Sequence, residues 1–168
     1  MMSGMFRDRD SAEKSYKSLS ERGYGKDDIN VMMSDDARKK HFGDHDSNDT
    51  ELGNKAAEGT GVGSAVGGTL GAIIGAVAAI GTNVILPGLG LVVAGPIAAA
   101  LVGAGAGGAT GGLIGGLVGS GIPEDRAKLY ESGLKEGGIV MGVNPRNDED
   151  AEYFENQWKS NKGEHIYR

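Results

Sequence analysis

The chain has 168 residues, a formal net charge of -6 and no cysteine. These facts exclude disulfides, thiol catalysis and cysteine-based zinc or iron–sulfur centres, and an acidic chain without a basic run does not suit nucleic acid. Glycine is the outlier, at 31 residues against a usual share of about 7%, without the Gly-X-Y period of collagen.

In chain order, Met1–Phe6 predicts a first strand. Asp10 or Ser11 then caps a helix with Glu13 in its first turn, and Ala12, Tyr16 and Leu19 fall on one apolar face. Gly23 stops that helix. Ile29, Val31 and Met33 alternate with polar Asn30, the pattern of a half-buried strand. Ser34–Glu58 is rich in Asp, Asn, Ser, Gly and Lys and predicts a polar loop or linker.

From Gly59 to Pro123 there is no Asp, Glu, Lys, Arg or His. Two runs of glycine recur there at every fourth residue. One is Gly59, Gly63, Gly67, Gly71 and Gly75, continued by Ala79. The other is Gly103, Gly107, Gly111, Gly115 and Gly119, preceded by Ala99. A period of four is close to one helical turn, so each run makes a stripe along which two helix backbones approach closely. The reading is an antiparallel helical hairpin: helix A over Thr60–Ile80, a turn through Gly81–Pro96, and helix B over Ile97–Val118. Glycine costs about 1 kcal/mol per residue relative to alanine in a helix interior. Such helices therefore need a bilayer or dense packing against further copies. Gly68, Gly108, Gly112 and Gly116 lie beside the main stripes and offer faces for self-association. Leu at Gly71 or Gly111 is expected to force the helices apart.

Beyond the hairpin, Ile122-Pro-Glu-Asp125 opens a helix with Ala127, Tyr130 and Leu134 on its apolar face. Gly137-Gly138 breaks it, and Ile139–Val143 is an apolar run expected to be a buried strand. Asn144-Pro145 turns the chain. A helix follows over Asp148–Asn161 with Ala151, Phe154 and Trp158 on one face, then Gly163 and a last short strand over Glu164–Tyr167. The expected class is α+β. A ferredoxin-like sheet with helices on one face is split into residues 1–58 and 122–168, and the glycine hairpin is inserted as residues 59–121.

Candidate chemistry is sparse. His41, Asp44, His45, Asp46 and Asp49 cluster in sequence and include possible metal ligands, but they sit in a hydrophilic stretch without the ligand order of an EF-hand. Gly61-Val-Gly63 with Gly67 resembles a nucleotide-binding glycine loop. It lacks the preceding strand, the following acidic residue and any Lys-Ser or Lys-Thr, so it reads as part of the packing stripe. His165 reads as a strand or surface residue, and Tyr130 and Trp158 as core. No spacing links Ser, His and Asp into a triad. No catalytic residue, cofactor or small-molecule substrate is expected.

Three stretches resemble a known family. Ile29-Asn-Val-Met follows a first strand and helix. Leu86-Pro-Gly-Leu-Gly precedes Ala94-Gly-Pro-Ile-Ala-Ala-Ala-Leu-Val-Gly-Ala-Gly. The third runs from Gly121-Ile-Pro-Glu-Asp-Arg through Gly-Gly-Ile-Val-Met-Gly-Val143. Together they resemble bacterial heat-induced general stress proteins of the YflT type. The resemblance implies a stress-associated protein with a split α/β domain, a glycine-rich centre and no reaction. The start carries no apolar stretch of a signal peptide, so the expectation is a cytoplasmic protein, or one on the cytoplasmic face of the inner membrane, and not a secreted one. The expected partners are further copies of the chain and membrane lipid. Two readings stand: a hairpin in or on the membrane, and a soluble assembly such as a ring, shell or filament with the helices buried between subunits. A third, in which the sheet senses a ligand or metal, is weaker.

Overall fold

The computed structural model describes residues 1–25, 27–42, 84–86, 90–105 and 112–168. In chain order the described elements are β1 (Met2–Phe6), α1 (Arg9–Glu21), β2 (Ile29–Ser34), α2 (Asp35–Phe42), β3 (Val84–Leu86), β4 (Leu91–Ala94) and α3 (Ile97–Gly105). They continue with α4 (Gly112–Gly119), α5 (Glu124–Lys135), β5 (Ile139–Val143), α6 (Asp148–Ser160) and β6 (Glu164–Tyr167). The class is α+β. Six strands form one sheet in the order β3-β4-β2-β5-β1-β6, and every neighbouring pair is antiparallel.

An antiparallel sheet commonly keeps one face wet and alternates apolar with polar residues. Here β1, β4 and β5 are buried at every position, and only Ser34 at the end of β2 is half-buried. Helices cover both faces, which corrects the expectation of helices on one. On face one, Met2, Phe6, Ile29, Val31, Met33, Ile139, Met141 and Val143 pack with Ala12, Tyr16 and Leu19 of α1 and with Phe154 and Trp158 of α6. Phe6 meets Trp158 edge to face at 5.7 Å. On face two, Met5, Met32, Leu91, Val93 and Val140 pack against Leu101 of α3, Leu113 and Leu117 of α4, and Ala127, Tyr130 and Leu134 of α5.

Other differences from the sequence reading have local causes. Asp8 caps α1, its carboxylate accepting from the Ser11 N–H at 2.8 Å. Within the expected linker, α2 forms with the Ser34 hydroxyl on the Ala37 N–H, acids in its first turn and basic residues in its last. Part of the expected turn forms a hairpin, β3 pairing with β4 and β4 with β2. Helix B is not one helix. Its span holds α3 and α4, which pack side by side, so that Gly116 lies against Leu101. Fifteen positions along one straight helix would be about 22 Å apart. Helix A, over 60–80, lies outside the described residues.

Asn30 ties β2 to α3. It is 2% exposed, and its Oδ1 accepts from the Ile97 N–H at 2.7 Å, so a strand residue caps the first turn of a helix 67 positions away. Gly95 makes that approach possible. Its φ is +98°, and a Cβ there would overlap the Ile29 carbonyl oxygen and lie 2.9 Å from the Asn30 Cα. Asn30→Ala leaves a buried N–H without its acceptor. It should lower stability by about 1–3 kcal/mol in denaturant unfolding.

A polar latch closes face one. Asp150, in the first turn of α6, accepts from Arg22 and from the Tyr24 hydroxyl, the latter at 2.7 Å. The Tyr24 oxygen in turn accepts from the Arg146 N–H at 2.7 Å. The Tyr24 hydrogen bond, then the Arg22 guanidinium, hold the Asp150 carboxyl below its usual range. A depressed carboxyl contributes stability above its unfolded pKa, about 3.9, and loses it as pH falls through the lower folded value. Asp150→Asn should therefore melt below wild type at neutral pH, and the gap should close in thermal melts below about pH 4.

Candidate self-association surface

The layer over face two is built without a charge from Gly90 to Pro123. After β4, Gly95 turns the chain, and Ile97, Ala98 and Leu101 place α3 on the sheet with Ala99 and Ala100 exposed. On α4 the inner side is Gly112, Leu113, Gly116 and Leu117, and the outer side is Gly115, Val118 and Gly119. The end of α4 is fixed by a C-terminal cap in which Gly121, at φ +89°, donates to the Val118 carbonyl and Ile122 donates to the Leu117 carbonyl. Ile122 and Leu117 both sit in the face-two core. Pro123 and the acids Glu124 and Asp125 then start α5.

The glycines of α4 divide by side. A Cβ on Gly116 would overlap Leu101 Cδ2 and lie 3.2 Å from Leu101 Cα, so the helices meet there at backbone distance. Around Gly115 and Gly119 no atom of the described residues lies within 4 Å of where a Cβ would stand. Of the expected packing residues, Gly103 lies in α3, while Gly115 and Gly119 lie on the outer side of α4. Gly59, Gly63, Gly67, Gly71, Gly75, Gly107 and Gly111 lie outside the described residues. The contact between α3 and α4 falls on Gly116, one residue from the expected stripe. The doubled glycines at 111–112 and 115–116 are the signal of two adjacent stripes. Val118 is 43% exposed and Leu129, on the neighbouring α5, is 41% exposed. The outer surface is thus small, apolar and uncharged on α3 and α4, with one apolar neighbour on α5.

The other candidates do not assemble a site. His41 lies in the last turn of α2, where its backbone carbonyl accepts from Arg9 at 3.0 Å. Asp44, His45, Asp46 and Asp49 lie outside the described residues. Among the described residues no three His, Asp or Glu side chains come together as a metal site. His165 lies in β6 with φ +51°, and its carbonyl accepts from the Tyr130 hydroxyl at 2.7 Å. Tyr130 also meets the Ser3 hydroxyl at 3.0 Å, and burial raises its pKa. Trp158 is fully buried, and its indole N–H has no hydrogen-bond partner among the described residues. A shallow cavity of about 310 Å³ lies between Met1, Met2, Pro145, Asn147 and Arg168. Its guanidinium is shared with Asp148 and Glu155, both at 3.7 Å. Among the described residues no helix is long and apolar enough to cross a membrane.

No protein-family model, curated protein or solved structure matches the chain.

The two sides of α4 predict opposite responses to one added methyl. Gly116→Ala should cost about 1–3 kcal/mol, because backbone as well as side chain must give way. Gly115→Ala should be neutral or stabilising by up to about 1 kcal/mol, since it adds helix propensity in open space. Paired denaturant curves read both, and equal losses at the two positions would refute the assignment of sides.

Proposed function

We propose that this chain is a non-enzymatic protein that works by associating with copies of itself through the uncharged outer surface of α3 and α4. The observation that carries the reading is the open side of α4. Among the described residues nothing lies within 4 Å of where a Cβ on Gly115 or Gly119 would stand, beside exposed Val118, in a stretch from Gly59 to Pro123 with no charge to desolvate. Close approach of a second backbone there costs little side-chain entropy and loses no ion pair. The resemblance to general stress proteins supports a bacterial stress-response setting, in the cytoplasm or at the cytoplasmic face of the membrane.

The finer reading of the fold belongs with this proposal. The units β1–α1–β2 and β5–α6–β6 are two halves of a ferredoxin-like domain, and the chain between them is an insertion carrying the association surface. Its support is the interleaved order β2-β5-β1-β6 with α1 and α6 packed on one face.

A membrane-bound hairpin is the second reading. It rests on the uncharged stretch Thr60–Ile80, which has the roughly 20-residue length of a span. The test sizes the full chain from cells broken without detergent, beside an alkaline carbonate wash of the membranes. A uniform assembly in the detergent-free supernatant supports self-association. Gly115→Leu should then weaken it at least about tenfold in dissociation constant without changing the circular dichroism. Protein that stays in the washed pellet supports the membrane reading. A detergent-free monomer overturns both.

A further inference from the structure

The sheet ends differently on its two sides. The β6 edge is guarded. Glu164 pairs with Arg7 at 3.0 Å, His165 adopts φ +51°, and the pairing with β1 shifts register between Ser3 and Met5. Charge and irregular backbone are how sheets keep further strands from adding. The opposite edge has none of these devices in its sequence. Val84-Ile85-Leu86 pairs with β4 on one side, and no strand among the described residues pairs with the other. The segment carries no charge, and proline appears only after it, at Pro87.

We propose that β3 is an association edge, on which two copies pair antiparallel about Ile85 and join their sheets into one. This rests on the self-association reading above and adds a second contact, at the sheet edge, to the one on α3 and α4. A second copy is the occupant for two reasons. Pairing about Ile85 sets Val84 opposite Leu86 of the other copy and Leu86 opposite its Val84, so the edge is complementary to itself under a two-fold axis. Each copy also carries a net charge of -6, all of it outside Gly59–Pro123. Two such chains meet with least repulsion along the uncharged stretch, and β3 is its one strand at a sheet edge among the described residues. The added ladder supplies backbone hydrogen bonds along that edge.

The chain has no cysteine, so an introduced one reports alone. Directly opposed residues of an antiparallel pair have Cα atoms about 4.5–5.5 Å apart, within the range that a disulfide spans. The full chain carrying Ile85→Cys is oxidised mildly beside Asn156→Cys, which is exposed on α6. Covalent dimer should form at least about tenfold faster from Ile85→Cys, as expected for thiols held together in a complex. Equal rates in a wild-type chain that still assembles overturn the edge pairing and leave the self-association reading standing. A monomeric wild-type chain overturns both together.

Discussion

Met5, Met32, Val93 and Val140 face the side of the sheet away from α1 and α6, and water cannot be left against them. Fully burying one such side chain contributes roughly 1.5–3 kcal/mol, so a bare second face would forfeit much of what a domain this size has to spare. The rest of the architecture answers to that constraint. A layer must lie over face two, and the side it turns to the sheet must be apolar. The glycine- and alanine-rich chain after β4 supplies it with two short helices that approach each other at backbone distance, and α5 completes it.

That arrangement also explains how so many glycines are tolerated. Each costs helix propensity, and the structure recovers it where a missing side chain makes room for a neighbour. At Gly116 the room is taken by Leu101. At Gly133 of α5 it is taken by the thioether of Met5, which reaches up from β1. Gly116 and Gly133 are receiving surfaces for larger apolar groups that come from other elements of the fold.

Much of the domain was legible before the structure. The spacing of Ala12, Tyr16 and Leu19 and that of Ala151, Phe154 and Trp158 marked α1 and α6, and the apolar run Ile139–Val143 marked a strand buried on both sides. That last signal already argued against a sheet with one wet face. The hairpin β3–β4 was not legible, because runs of three and four apolar residues among Gly and Pro have no period to read. The division of helix B was hidden for a related reason: its sequence contains no proline and only one polar residue, Thr110, so an unbroken four-residue period ran through both α3 and α4. At the candidate surface, two glycine stripes lay side by side. Period alone does not say which turns inward, since that choice is made by Leu101 from another helix. Asn30 looked like the polar member of an alternating strand, and its contact with the Ile97 N–H joins residues that only the tertiary fold brings together.

The position of β5 has a consequence for how the chain is made. It lies between β1 and β2 and pairs with both, so the first two strands never touch each other. On a ribosome β1 emerges first and waits longest, because both its partners, β5 and β6, come late in the chain, whereas β2 can already pair with β4. By then the whole uncharged stretch has been synthesised. The sheet therefore closes late, when β5 joins β1 to the strands made before it. Until β5 is made, the apolar residues of β1 have no neighbouring strand to lie against, so the first strand of the chain is the last to be sheltered.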